Sequence, residues 1–488
     1  QLATLPSTPL GNWTFWAEFR ACDNLQAVYW LYNITGEAFL LDLGNLLHEQ
    51  SFNFIDMFLN RDHLTRFNSI HCVNLAQGLK EPVIYYQQKP EKSYIDAVKK
   101  GLADIRKYNG QPQGMFGGDE GLHGNNPTQG SELCSAVELM YSLEKMMEIT
   151  GDLTFTDHLE RIAFNALPTQ ITDDFMNKQY FQQANQIMIT RHPHNFYEDA
   201  HHAATDIIYG TRTGYPCCFS NMHQAWPKFT QSLWYATPDK GIAALAYSPS
   251  EVVAQVGDGH EISIIEDTYY PMDDKIRFTI RLSNSVKEVT FPFHLRIPEW
   301  CKGAAVTING ITDSINGGSD MAILHRPWKD GDQVILSLPM KVESSRWYEN
   351  SVAIERGPLV YALKMEERWM KKEFVGKERN QFGFDYYEVS SPTKWNYGIL
   401  SATIEDLEKN SQVTIDPDKQ SCDYFWNVRN APIQIKLKAK EMTSWRIYNE
   451  MTGPLPFSTS KSEQPEEEIV LVPYGCTTLR ISEFPVVR

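Results

Sequence analysis

The apolar residues of this chain change period near Pro238, from the 3.6-residue spacing of helices to the two-residue spacing of strands, and no single architecture accommodates both. Before that point, Leu25, Val28, Tyr29 and Tyr32, then Phe39, Leu40, Leu43, Leu46 and Leu47, fall on helical faces with Gly36 between them. The joint Ile34-Thr35-Gly36-Glu37 returns as Ile149-Thr150-Gly151-Asp152, each placing glycine where a helix C-cap needs a left-handed residue. Repeated helical hairpins predict a toroid. The spacing predicts further helices over 68–81, 92–108, 131–149, 154–167 and 219–233, with little strand signal before position 236. A barrel closed by six such hairpins needs about twelve helices and on the order of 300 residues, so helices are expected to be missing from its N-terminal side.

Beyond Pro238, alternating and β-branched runs at 242–247, 276–282, 289–297, 305–308 and 333–338 predict a β-sandwich. Runs at 352–355, 359–362, 433–437, 469–472 and 477–481 predict a second β-rich region, interrupted by a polar stretch at 366–430. The expected fold class is multidomain α + β, with helical residues 1–238, a sandwich at 239–345 and a second β-rich domain at 346–488. The acidic stretch 463–468 reads as a solvated loop.

A formal charge of −16 without a compensating Lys/Arg run disfavours nucleic-acid and membrane-surface roles, and no apolar stretch reaches the roughly 20 residues that span a bilayer. Gln1 opens the sequence without a signal-like core, so the start reads as processed or trimmed. Aromatic residues at 12% suit stacking on sugar faces, although core packing accounts for most of them.

Eight cysteines are too sparse for a disulfide scaffold, and two are adjacent. Glu132 and Cys134 at the start of a helix, with Cys217-Cys218 in a loop before the helix around 221–229, form a candidate zinc set, because Zn²⁺ accepts thiolate and carboxylate in tetrahedral geometry. The spacing lacks the Cys-x-x-Cys of ordinary zinc sites, so inert buried cysteines remain the alternative on spacing alone. The Gly-rich segment Gly114–Gly124 precedes this helix, and a partly desolvated carboxyl beside a sulfur-rich site suits a general acid. Glu120 is favoured over Asp119 by reach; loop capping through backbone amides is the competing role.

Met115-Phe116-Gly117-Gly118-Asp119-Glu120, Ser131-Glu132-Leu133-Cys134 and Tyr215-Pro216-Cys217-Cys218-Phe219-Ser220-Asn221 resemble the β-L-arabinofuranosidase group, glycoside hydrolase families 127 and 146. The resemblance extends through 23–41, His71-Cys72-Val73-Asn74, 241–257 and 295–301, from about residue 20 to 365. It implies an (α/α)₆ barrel followed by β-sandwiches and a zinc ion held by Glu132, Cys134, Cys217 and Cys218. It further implies Cys217 as nucleophile and Glu120 as acid/base, in a retaining hydrolase that releases a furanose, β-L-arabinofuranose foremost, from pectin-type glycans.

His71, Glu160 and Tyr180 lie in stretches resembling the family's pocket-forming segments and are assigned to substrate binding; His123, His201, His202 and Tyr215 are further candidates for specificity. An oligosaccharide partner and a periplasmic or secreted location follow from such a substrate. Rival readings are a hydrolase of another rare pectic furanoside such as aceric acid, a conventional inverting glycosidase, a polysaccharide lyase, and a non-catalytic glycan-binding protein with structural zinc.

Overall fold

The computed structural model describes residues 1–488 except 67–69, 195, 197–201, 284, 316, 317 and 319 and the side chain of Phe15. The fold is multidomain α + β: helices dominate up to Gln231 and strands thereafter. Helices Ala21–Thr35 and Leu133–Thr150 both end on a left-handed glycine, Gly36 and Gly151 at φ 69°, whose N–H closes the last turn on Tyr32 and Met147. Among the described residues no helix is long and apolar enough to cross a membrane.

The stretch predicted as one helix over 68–81 is instead Cys72–Gly78 followed by Glu81–Tyr86. Pro82 lacks the N–H that would continue the first ladder and suits the opening turn of the second. The helix predicted over 154–167 is α-helical only for Leu153–Arg161, then widens into a π-turn at Ile162–Ala166. The helix carrying the adjacent cysteines begins at Cys217 itself and runs to Gln231, so the pair lies in a first helical turn and not in a loop.

A six-stranded sheet (Ser250–Val256, His260–Thr268, Lys275–Leu282, Gln333–Ser337, Ala305–Ile308, Ile311–Ser314) faces a four-stranded one containing Asp320–Trp328, Val289–Ile297, Ile242–Ala244 and Trp234–Ala236. Phe278 and Phe293 meet edge to face between them at 5.2 Å. An eight-stranded sheet follows, with Glu466–Pro473 and Ile433–Glu441 at its centre. Part of the acidic stretch read as a loop is therefore strand: Glu466 and Glu468 pair with Lys438 and Lys436 on the neighbouring strand.

Two departures bear on the site. The helical half contains short strand fragments that the sequence pattern does not reveal, forming one sheet in the order Gly121–Leu122, Gly118–Asp119, Ser131–Glu132, Phe181–Gln182. Within the polar stretch 366–430, Arg368–Glu373 and Asp385–Ser390 form a hairpin that pairs with Tyr209–Gly210 and through it with Lys178–Gln179. The late part of the chain thus completes a sheet begun in the helical half.

Buried Arg296 joins helical half to sandwich. Its guanidinium donates to Asp157 at 2.5 Å and to the Leu245 carbonyl and forms an ion pair with Glu160, while Tyr270 donates its hydroxyl to Glu160 at 2.9 Å.

Candidate active site

Two helix N-termini converge on the cysteines. Glu132 sits in extended backbone just ahead of Leu133–Thr150, which puts Cys134 in that helix's first turn, and Cys217 opens the helix packed beside it. The partial positive charge of each helix end favours thiolate there. Cys134 Sγ lies 3.2 Å from Cys217 Sγ and 3.1 Å from Cys218 Sγ, the adjacent pair is 3.9 Å apart, and Glu132 Oε1 is 3.5 Å from both Cys217 and Cys218.

All three cysteines are free thiols, and these separations far exceed the roughly 2.05 Å of a disulfide. Around a tetrahedral zinc with Zn–S about 2.3 Å and Zn–O about 2.1 Å, neighbouring sulfurs stand ~3.8 Å apart and sulfur and oxygen ~3.6 Å apart. The Cys217–Cys218 and both carboxylate separations match that cation closely, the two Cys134 separations are shorter by about 0.6–0.7 Å, and Glu132 Oε2 is buried without a hydrogen-bond partner.

Electrostatics separate the thiols. Hydrogen bonds from Cys134 and Cys218 hold Cys217 well below the ordinary thiol range against the opposing effect of burial, with the Lys178 charge assisting. Burial pushes Cys134, Cys218 and Glu132 up. Lys178 is itself buried; its ammonium donates to the carbonyls of Thr213 and Tyr215 and so grips the loop leading to Cys217. Gly214 lies between those carbonyls at φ 61°, where a β-carbon would overlap the Tyr180 ring.

Glu120 occupies the apex between Gly118–Asp119 and Gly121–Leu122 at φ 74°, a left-handed conformation that non-glycine residues rarely adopt. Its carbonyl accepts from the Cys72 N–H at 2.7 Å, and a β-carbon on Gly118 would overlap the Cys72 sulfur. Strain of this kind, about 1–3 kcal/mol, persists where surroundings over-determine the backbone and clusters at functional sites.

Both carboxylate oxygens of Glu120 are held: Tyr180 donates its hydroxyl to Oε1 at 2.5 Å and His71 Nε2 reaches Oε2 at 3.1 Å. His71 Nδ1 accepts from the Asn74 N–H at the start of helix Cys72–Gly78, which leaves the proton of a neutral ring on Nε2, facing Glu120. Asp119 has a different environment; buried, it pairs with His123 and accepts from Gln129 at 2.6 Å.

These groups share a cavity of about 1110 Å³, above the ~300–1,000 Å³ usual for small-molecule sites and roomy enough for more than one sugar ring. Glu120, Glu132, Cys134, Cys217, His71, Tyr180, His202 and Tyr215 line it, as do Trp16, Arg20, Asn74, Gln77, Glu138 and Asn221. The Arg20 guanidinium lies 4.4 Å over the Trp16 ring, which meets His71 edge-on at 4.8 Å.

Glu160 does not line this cavity: it is 1% exposed and committed to Arg296 and Tyr270 at the junction with the sandwich. Its helix points that face toward the β-half, which a motif alignment does not reveal. His201 lies outside the described residues. Sequence reasoning passed over Lys178, Arg20, Glu138 and Asn221. The last two were findable, since Glu138 follows Cys134 and Asn221 follows Cys217 by one helical turn and so shares its face.

Fold and cluster together define the class: a multidomain α + β protein whose helical part carries a thiol–carboxylate cluster in a ligand-sized cavity. A family model described as the catalytic domain of glycoside hydrolase family 127 β-L-arabinofuranosidase matches residues 15–231, and one described as its middle domain matches 241–340; the chain belongs to this family. A non-reducing end β-L-arabinofuranosidase of Bifidobacterium longum subsp. longum is 26% identical over 249 residues, covering 49% of this chain and 36% of that protein. The matched part thus spans about a third of that relative's length.

The solved structure of a family 127 β-L-arabinofuranosidase from Geobacillus stearothermophilus T6 aligns with a TM-score of 0.66 at 18% identity, covering 95% of this chain and 72% of its own. A second solved family 127 β-arabinofuranosidase gives 0.66 at 17%, covering 95% and 68%. At such identities the likeness is one of fold.

Proposed function

We propose that this chain is a retaining glycoside hydrolase that releases a furanose, most specifically β-L-arabinofuranose, from plant cell-wall glycans outside the cytoplasm. The observation that carries the reading is the pairing of a depressed thiol, Cys217, with a doubly held carboxyl, Glu120, in one cavity. Glu132, Cys134, Cys217 and Cys218 would hold zinc, whose charge keeps the thiols ionised when it is bound.

In the first step the Cys217 sulfur attacks the anomeric carbon while Glu120 gives its proton to the glycosidic oxygen, so the C–O bond breaks as the C–S bond forms. In the second, Glu120 takes a proton from water, the water oxygen attacks the same carbon, and the C–S bond breaks to return the thiolate. Two displacements retain the anomeric configuration. Tyr180 and His71 orient the Glu120 carboxyl in both steps, and the cavity polar groups Asn74, Gln77, Glu138 and Asn221 are the candidates for sugar hydroxyls.

Charge argues for a neutral sugar over an acidic one such as aceric acid, and against uronate-cleaving lyase chemistry. Among the described lining residues Arg20 is the one fixed cation, engaged with Asn74 at 2.8 Å, against the carboxyls of Glu120, Glu132 and Glu138. Proton NMR of the first-formed sugar, with intact-mass detection of a pentosyl adduct on Cys217, tests the mechanism. Inverted product, or an unsaturated ultraviolet-absorbing one, would refute it.

A further inference from the structure

We propose that a second cavity, about 340 Å³ and separate from the catalytic one, binds a neutral sugar unit of the same glycan chain. The inference rests on the reading of the chain as a glycan hydrolase. One wall is the hairpin Arg368–Glu373 and Asp385–Ser390; the other combines residues 171–177 with 426–429.

Trp369 on the hairpin is 38% exposed and fixed in place: Tyr209 and Tyr387 pack against it at 5.2 and 5.9 Å, and its indole N–H donates to Glu367 at 3.3 Å. Glu367 is anchored in turn by the Thr478 and Leu479 N–H groups at 2.7 and 3.2 Å. Across the cleft Asn427 donates to Asp173 at 3.0 Å beside Arg429. A held indole face suits the C–H face of a sugar ring, and planar amide, carboxylate and guanidinium groups suit its hydroxyls.

Among the described lining residues three acidic side chains, Asp173, Asp174 and Glu367, outnumber the one arginine, which favours a neutral sugar over a uronate. The cleft is joined to the catalytic centre by one sheet. Asn177 lines it, the strand Lys178–Gln179 pairs with Tyr209–Gly210 and through it with the Trp369 hairpin, and the chain continues to Tyr180, which holds Glu120.

Calorimetric titration of zinc-loaded Glu120→Gln protein with a neutral arabino-oligosaccharide tests this. The expected result is a binding event that adding Trp369→Ala weakens about tenfold or more. Asn427→Ala, on the opposite wall, must weaken the same event and decides the matter if Trp369→Ala does not fold. Titration curves that neither substitution changes, or tighter binding of an oligogalacturonide than of the neutral chain, would overturn the proposal. Failure of the catalytic reading looks different: wild-type protein would release no arabinose while the Trp369-dependent event persisted.

Discussion

Arg296→Met is expected to destabilise the fold severely while leaving the catalytic cavity intact. The guanidinium is fully buried, and its removal takes the compensating charge from Asp157 and Glu160, one turn apart on Leu153–Arg161, and a donor from the Leu245 carbonyl. Burial already pushes Glu160 upward, with the Arg296 charge pulling back, so loss of Arg296 leaves a carboxyl that must stay protonated or draw in water. Breaking one side of a buried pair costs about 3–5 kcal/mol. The double variant Arg296→Met with Glu160→Leu should recover part of that, because the fully buried carboxyl is then gone and the more exposed Asp157 still accepts from the Glu299 N–H. Urea unfolding followed by fluorescence reads the loss, and KM measured on the fraction that stays folded should match wild type. An unchanged midpoint with a raised KM would refute the reasoning, since it would put Glu160 against the sugar and not at the junction of the two halves.

Glu120→Gln should keep its zinc by elemental analysis and lose turnover, whereas Cys134→Ala should lose both; equal metal loss in the two would contradict the division of roles. Tyr180→Phe removes the 2.5 Å bond to Glu120; a hydrogen bond to a charged group is worth about 1.5–3 kcal/mol, so kcat should fall about ten- to hundredfold with the metal retained. Glu483 is buried against Ser351, and burial raises it from the ordinary 4.5 to about 8. The stability of its protonated form is complete below pH 4.5 and lost as pH rises through about 8. Glu483→Gln should therefore flatten the decline in unfolding midpoint across that window; an unaltered slope would show that Glu483 ionises freely in the folded protein.

What the sequence discloses follows the length of its patterns. Helices with several turns of apolar spacing, such as Leu133–Thr150 capped by Gly151, and strands of alternating burial such as Lys275–Leu282, are legible because each repeats its period several times. The strands that aim Glu120 and Glu132 are two residues long and have no period to read. Their signal is the glycine content of 117–124, which marks an unusual backbone without specifying it. Glu160 illustrates the opposite failure. It sits in a stretch resembling a pocket-forming segment, but which face of a helix meets the sandwich is fixed by Arg296, more than a hundred residues away, and local sequence holds no trace of that contact.

Charge balance explains why the cluster sits between two helix ends and beside a buried lysine. With zinc bound, three thiolates and a carboxylate would carry four negative charges, of which the divalent cation would cancel two. Leaving the remainder in a buried setting would cost several kcal/mol per charge. Each helix N-terminus contributes roughly half a positive charge, and Cys134 and Cys217 both lie in first turns. Lys178 supplies a whole charge, close enough to depress Cys217, from a position secured by the Thr213 and Tyr215 carbonyls. Together with the cation these contributions would bring the buried centre near neutrality. Cys217 would then meet the anomeric carbon inside a positive field fixed by the helix ends and Lys178, and Glu120, held by Tyr180 and His71, would exchange the proton with the sugar.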